Sequence, residues 1–257
     1  MNQSLSVVII CRNEAAIIAQ TIAAAKQVTD DIVVVDSGST DGTQQIVLAA
    51  GVSLLETDWA GYGANKNKGV ARAKNDWILS LDADEIPDQA LIEALQQLVF
   101  DREEKVYNIR FRVFFANRLI RFGEWSNDRH IRLYNRKKIS WNEAAVHEGL
   151  LFPANMVVET LKGFIHHYTS KDLADFREKT IHYAMLNARK YFEQGKKAGR
   201  FKCLAAPVFS FVKNYIFRLG LLDGKAGFTI ARMNAWYTRL KYAELRKLNL
   251  QNSKPGN

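Results

Sequence analysis

The apolar positions of the first hundred residues switch repeatedly between two periods. Leu5-Ser6-Val7-Val8-Ile9-Ile10 is a short strand-like run, and residues 14–28, rich in Ala and Ile, follow at helical spacing. Ile32-Val33-Val34-Val35-Asp36 is a continuous β-branched run of the kind buried on both faces of a parallel sheet. Residues 37–42 carry turn chemistry, 43–50 read as a helix, 52–55 as a third strand, 64–73 as a helix and 77–81 as a fourth strand. Strands and helices alternating over short connections predict an α/β fold, a Rossmann-like and mostly parallel sheet flanked by helices. Strands are also predicted over 107–115, 130–134 and 161–165, with a loop-like segment at Trp141–Glu148. From Leu173 the pattern is helical, with helices expected over 173–194, 204–222 and 226–248. The pattern therefore divides the chain into an α/β domain, 1–170, and a helical extension, 171–257.

Charge sharpens that division. Residues 1–170 hold 18 Lys+Arg against 21 Asp+Glu, net −3, whereas residues 171–257 hold 18 against 6, net +12. A basic last third points to a polyanionic partner, nucleic acid or an anionic membrane surface, and composition does not choose between them. Two distant cysteines, Cys11 and Cys203, make no disulfide framework, and a reducing compartment is expected. The chain enters a strand-like run at once, so no cleaved leader is expected and secretion is disfavoured.

Residues 203–222 are apolar enough to need testing as a membrane span. Pro207, Lys213, Asn214 and Arg218 interrupt them, and cations are costly at a bilayer centre. Val208, Phe211, Val212, Tyr215, Ile216, Leu219 and Leu222 follow helical spacing, which predicts one amphipathic helix. Packing on the rest of the chain and a place in a lipid interface, beside the cluster Arg189, Lys190, Lys196, Lys197, Arg200 and Lys202, are both compatible with such a helix.

The chemistry-bearing residues stand at the ends of the predicted strands, where ligands of such sheets bind. Cys11-Arg12-Asn13-Glu14 follows the first strand and lacks the glycines of a dinucleotide-binding turn. Asp36-Ser37-Gly38-Ser39-Thr40-Asp41-Gly42 follows the second. Its carboxylates could accept hydrogen bonds from a base or ribose, or Asp41 or Thr40 could cap the next helix. Asp82-Ala83-Asp84-Glu85 ends the fourth strand, and hard divalent cations such as Mg2+ or Mn2+ take such oxygen ligands and bridge to phosphates. An acidic first turn on a helix starting near Pro87 is the plainer alternative. In Asn65-Lys66-Asn67-Lys68-Gly69, Lys66 and Asn67 could approach a diphosphate or form a solvated turn. His130 and His182 are expected to be structural, while His147 adjoins Glu148 and His166-His167 follow the strand-like run 161–165.

Together these residues resemble the family 2 glycosyltransferases of the GT-A fold. The resemblance rests on Arg12-Asn13-Glu14, Val33 through Thr43, Lys66-Asn67-x-Gly69 and Asp82-Ala83-Asp84-Glu85, and covers residues 4–115 most strongly. Beyond these, Trp141 with Val146-His147-Glu148, His167-Tyr168 and Gly220-Leu221-Leu222-Asp223-Gly224-x-x-Gly227 resemble the lipopolysaccharide-core β-glucosyltransferase subgroup, whose C-terminal helices are basic and membrane-facing. The resemblance implies an inverting, metal-dependent enzyme that moves a hexose, glucose from UDP-glucose for preference, onto a hydroxyl of a membrane glycolipid such as lipopolysaccharide inner core. It implies that Arg12, Glu14, Asp36, Lys66 and Asp82 bind the UDP-sugar, that Asp84 ligates Mg2+ or Mn2+, and that Glu148 is the general base. His167 or His147 would serve as an additional metal ligand.

The expected partners are a UDP-sugar donor, a glycolipid acceptor and an anionic membrane surface, with no nucleic acid. The expected place is the cytoplasmic face of the inner membrane, held peripherally. Another polysaccharide, lipid-linked sugar or glycoprotein acceptor is the alternative within this class. A nucleotidyltransferase lacks its Gly-rich loop here, and a polyanion-binding module leaves Asp36, Asp41, Asp82 and Asp84 unexplained.

Overall fold

The protein is described here from a computed structural model, which defines residues 5–126, 128–142 and 149–252. The chain divides into two compact units. One comprises Met1–Arg112 with Asp128–His167, and the other Val113–Asn127 with Tyr168–Asn257.

The first, an α/β unit, is organised by four parallel strands: β1 (Leu5–Cys11), β2 (Ile32–Asp36), β3 (Ser53–Glu56) and β4 (Trp77–Asp82). They lie in the order β3-β2-β1-β4 and are connected through α1 (Ile18–Lys26), α2 (Thr43–Ala49) and α3 (Tyr62–Arg72). Every residue of β1 and β2 is buried, as a strand covered on both faces requires. Alternate side chains divide between two cores. Leu5, Val7 and Ile9 pack with Ile18, Ile22, Leu91 and Leu95, whereas Val8, Ile10, Val33 and Val35 pack with Ile78, Tyr134 and Trp141. Each such buried aliphatic side chain contributes on the order of 1.5–3 kcal/mol. Gly69 lets α3 approach the second face, since a Cβ there would stand 2.5 Å from Val8 Cγ1 and 2.7 Å from Val35 Cγ2.

The sheet is mixed. Beyond β4 it continues through β8 (Arg129–Asn135), β6 (Lys105–Phe115), β11 (Val157–Ser170) and β5 (Glu85–Pro87). Here β8 runs antiparallel to β4 and to β6, and β5 antiparallel to β11. Asp88 caps α4 (Gln89–Gln97), accepting from Leu91 N at 2.9 Å, and also accepts from Phe164 N at 3.0 Å. The short pair β9 (Ser140–Trp141) and β10 (Leu150–Leu151) flanks residues 143–148. Among the described residues, β7 (Arg118–Leu119) completes the larger sheet by pairing with the end of β6.

The helical unit is built on α5 (Leu173–Glu193), α6 (Arg200–Val212) and α7 (Gly224–Asn252). Its cores join Phe115, Ile120, Phe176, Ile230 and Met233, and separately Ala188, Ala198 and Leu245. The single amphipathic helix expected over 203–222 is corrected. α6 ends at Val212, a π-helical turn occupies Lys213–Phe217, and Leu219 takes a left-handed conformation with φ 59°. The left-handed residue ends the helical periodicity, so Leu222 does not share a helix with Val208. The Gly220–Gly227 motif has a local purpose. A Cβ on Gly227 would meet Gly220 O at 1.8 Å, and buried Asp223 accepts the backbone N–H groups of Arg121 and Phe122 at 3.1 and 2.9 Å.

Candidate active site

The carboxyl ends of the parallel strands lie level with one another: Cys11 pairs with Asp36, and Ile10 with both Val35 and Asp82. The loop after β1 is tied to the loop after β2. Asn13 Oδ1 accepts from Thr40 N at 2.8 Å, Asn13 N donates to Ser39 Oγ at 2.8 Å, and Asp41 accepts from Ala15 N at 3.0 Å. These bonds hold Asn13 at φ 58° and delay the start of α1 to Ile18, four residues later than the apolar pattern indicates. Gly42, rather than Asp41 or Thr40, takes the N-cap position of α2, while Asp41 accepts from Thr43 N at 3.1 Å.

Asp36 is fully buried and its carboxylate is occupied by its own turn. Oδ1 accepts from Gly38 N, Ser39 N and Gln44 Nε2 at 3.1, 2.9 and 2.7 Å, and Oδ2 accepts from Ser39 Oγ and Cys11 Sγ. Burial works against the ionised carboxyl, yet the bonds from Ser39, Gln44 and Cys11 outweigh it and lower its pKa. The residue shapes the loop that presents Ser39 and Thr40. Arg12 is exposed and Glu14 half-buried at the rim of this loop.

The α3 motif divides its work. Asn67 Nδ2 donates to Trp141 O at 2.9 Å and its Oδ1 accepts from Trp141 N at 3.0 Å, so Asn67 holds the loop after β9 instead of facing a diphosphate. Trp141 Nε1 donates to the buried Tyr134 hydroxyl at 2.7 Å. Lys66 is fully buried, its Nζ 3.0 Å from Asp82 Oδ1 and 4.4 Å from the centre of the Trp141 ring. A buried ammonium costs several kcal/mol unless paired, and the carboxylate with the ring face supplies the pairing.

Around this ion pair the acidic motif gathers a charge network. Asp82 N donates to Glu85 Oε2 at 3.1 Å. Arg132 Nη2 reaches Glu85 Oε1 at 2.5 Å and Asp82 Oδ2 at 3.6 Å. His167 Nε2 lies 3.4 Å from Asp84 Oδ2. Three carboxylates thus meet an ammonium, a guanidinium and an imidazole. Burial alone would push Asp82 towards the neutral acid, but Lys66 and Arg132 overcome it and lower its pKa. At Glu85, 1 % exposed, burial prevails over Arg132 and raises the pKa. Burial also disfavours the imidazolium of His167, but Asp84, Glu85 and Asp82 outweigh it and raise its pKa to about 9.

Arg132 is the participant missed in the sequence. Tyr107 faces Leu133 while Asn108 faces Ile131, so Arg132 is the extra residue of a bulge in β8. Bulges re-aim side chains beside active sites. An arginine in an alternating strand carries no local signal of this; only the tertiary pairing reveals it. His130, expected to be structural, is a half-exposed side chain 2.9 Å from Asp128. Glu148, with His147 and Glu143, lies outside the described residues.

The donor set suits a divalent ion that draws most of its ligands from elsewhere. Among the described residues, no three His, Cys, Asp or Glu side chains converge to hold a metal by themselves. Asp84 and His167 form one pair, while Asp82 and Glu85 are already engaged by cations. Mg2+ and Mn2+ commonly bind through one or two side chains together with water and phosphate oxygens, so the residues fit such a group.

Residues 6–152 match the family model for glycosyl transferase family 2. The lipopolysaccharide core biosynthesis glycosyltransferase LpsC of Rhizobium meliloti (strain 1021) is 31 % identical over 262 residues, covering 98 % of this chain and 95 % of that protein. An uncharacterized glycosyltransferase of Rickettsia typhi (strain ATCC VR-144 / Wilmington) is 27 % identical over 259 residues, covering 97 % and 89 %. A solved glucosyl-3-phosphoglycerate synthase from Mycobacterium tuberculosis, in complex with Mn2+, uridine diphosphate and glucosyl-3-phosphoglycerate, matches at 24 % identity and a TM-score of 0.35 over 43 % of each chain. The family match spans the strand-end motifs of the mixed sheet, and the protein belongs to glycosyl transferase family 2, a glycosyltransferase with a GT-A-like α/β fold and a helical C-terminal extension.

Proposed function

We propose that the protein is an inverting, divalent-metal-dependent glycosyltransferase that moves a hexose, glucose from UDP-glucose in the first instance, onto a hydroxyl of a membrane glycolipid such as lipopolysaccharide inner core. The observation that carries this reading is the network of Asp82, Asp84, Glu85, Lys66, Arg132 and His167 at the end of β4. Arg12, Glu14, Lys66 and Asp82 line the nucleotide side, with Asp36 acting through the turn it organises. Asp84 and His167 would hold Mg2+ or Mn2+, which supplies charge compensation on the leaving diphosphate. The buried cations Lys66 and Arg132 pair with Asp82 and Glu85 and hold the acidic motif in one arrangement, so it needs no reorganisation when the donor enters. Glu148 would take the acceptor hydroxyl proton, and attack opposite UDP inverts the anomeric centre.

The name of LpsC, a lipopolysaccharide core enzyme, supports the glycolipid acceptor. Peripheral attachment to the cytoplasmic face of the inner membrane fits the helical unit. Among the described residues no helix is long and apolar enough to cross a membrane. Yet α6 buries no residue, and Phe201, Leu204, Val208 and Phe209 are exposed, Phe201 to 83 %. Such a face beside lysines matches an anionic lipid interface.

A donor screen that follows UDP release, with and without acceptor glycolipid, tests the proposal. UDP-glucose should be turned over with Mn2+ or Mg2+ and not with EDTA. Turnover unaffected by EDTA, or use of no UDP-sugar, would overturn it.

A further inference from the structure

The helical unit carries a second concentration of charge unrelated to the strand ends. Lys241 of α7 lies 5.0 Å from the ring centres of Tyr191, Tyr237 and Tyr242. Lys196, in the turn after α5, lies 4.0 Å from the centre of the Tyr191 ring. Lys202, in the first turn of α6, lies 4.9 Å from that of Tyr242. Local bonds set this arrangement: Lys196 N donates to Tyr191 O at 2.9 Å, and Cys203 Sγ lies 3.4 Å from Tyr242 O. Three ammonium groups from three segments therefore share one tyrosine cluster. Among the described residues none of them forms an ion pair with a carboxylate.

That arrangement differs from an ordinary solvated basic surface. Two of the groups are exposed, but Lys241 is half-buried between rings. Burial and the repulsion of Lys202 and Lys196 lower its pKa, against the pull of Tyr191 and Glu124. Ring faces attract cations without cancelling their mutual repulsion, and Glu124 acts on Lys241 only from beyond ion-pair distance. Three ammoniums around one tyrosine cluster are suited to phosphate oxygens, which accept from several donors at once.

We propose that Lys196, Lys202 and Lys241, on the Tyr191–Tyr242 platform, form a binding site for a phosphate group, and that the group belongs to a lipid headgroup. The second half rests on the membrane reading above. Phe201 and Leu204 flank Lys202 in sequence at the start of α6 and are exposed, so the cationic site adjoins the apolar face. The first half stands on the cluster alone.

Two arms keep the halves apart. In the first, the full-length protein is titrated with inorganic phosphate against chloride at equal ionic strength, and thermal stability is followed. Phosphate should raise the wild-type midpoint, as any ligand of the native state does. The K196Q/K202Q/K241Q variant should not respond, and without phosphate should melt no lower than wild type because repulsion has been removed. K225Q/R232Q/R239Q, which removes the same charge elsewhere in the helical unit, should respond like wild type. In the second arm, sedimentation with vesicles containing phosphatidic acid is compared among the same proteins. Each basic side chain at an anionic surface is worth roughly fivefold, so the cluster variant should lose about 100-fold and the control variant at least tenfold less.

Equal responses from the cluster and control variants, or no phosphate response in wild type, overturn the phosphate site. A phosphate response lost in the cluster variant, with vesicle binding unchanged, overturns the lipid source and leaves a site for soluble phosphate. Loss of vesicle binding in F201S/L204S with the phosphate response intact assigns the apolar face to the membrane and the lysines to the headgroup.

Discussion

In the α/β unit, the cations at the strand ends are inside or at the edge of the fold and meet carboxylates: Lys66 with Asp82, Arg132 with Glu85, His167 with Asp84. In the helical unit, Lys196, Lys202 and Lys241 meet tyrosine rings, and the first turns of α6 point Phe201 and Leu204 outward. The difference is one of where the counter-charge resides. A buried pair carries its partner with it and is costly to break, by about 3–5 kcal/mol when one member is removed. An unpaired cluster depends on a partner from outside, and its strength falls with salt. The first arrangement suits preorganised chemistry on a small anionic donor, the second suits reversible attachment.

The largest effect is expected at Glu148. If it is the base, Glu148→Gln should lower turnover by roughly 10²–10⁴-fold while UDP binding persists, measured by single-turnover assay and calorimetry. Unchanged turnover would place the base elsewhere, with His147 or Glu143 next.

A smaller effect is expected at Arg132. Removing a group that orients or balances a metal site costs about 10–100-fold in metal affinity or activity, and Arg132→Gln should fall in that range. The double variant E85Q/R132Q should recover much of the lost Mn2+ affinity, because the unbalanced buried carboxylate has gone with its partner. A double variant no better than R132Q would mean that Arg132 acts on the donor directly and not through Glu85.

Among the membrane predictions, F201S/L204S should weaken vesicle binding by about tenfold or more, since each apolar side chain withdrawn from water is worth about 1.5–3 kcal/mol at full burial. Donor turnover on a soluble acceptor fragment should be unaffected, because both residues lie in the helical unit.

The mildest prediction concerns pH. His167 is raised from 6.5 to about 9 in the fold. Its pairing therefore stabilises the protein fully below about 6.5 and is lost as pH rises through about 9. Without added metal, the melting midpoint of wild type should decline over that window, and His167→Gln should flatten the decline. An identical pH profile in the variant would remove the ion pair from the account.

What was legible in the sequence follows the same division. The β-branched runs of β1 and β2 and the acidic end of β4 are local signals, and the structure places them where a parallel sheet binds ligands. The role of Asn67 was not legible, because its partner Trp141 is distant in sequence and the bond depends on α3 meeting β9. At Asp36 the motif alone leaves a ligand contact and a turn-capping role open; the donors Gly38 N and Ser39 N come from the turn it opens, which backbone geometry and not composition decides. Arg132 was invisible because a bulge is a property of two strands. In the helical unit, periodicity locates the helices but not the left-handed break at Leu219, a backbone conformation that an apolar pattern does not encode.

The proposed function requires that the α/β unit bind a nucleoside diphosphate through a divalent ion at the Asp82–Glu85 motif. Calorimetric titration of UDP into the protein tests it most directly, with Mn2+, with EDTA, and with Asp84→Asn in Mn2+. UDP should bind wild type in Mn2+, and its affinity should fall at least ~10²-fold with EDTA and with the substitution, since loss of a direct ligand costs no less than loss of an outer-shell partner. Equal UDP affinity in all three titrations would contradict it.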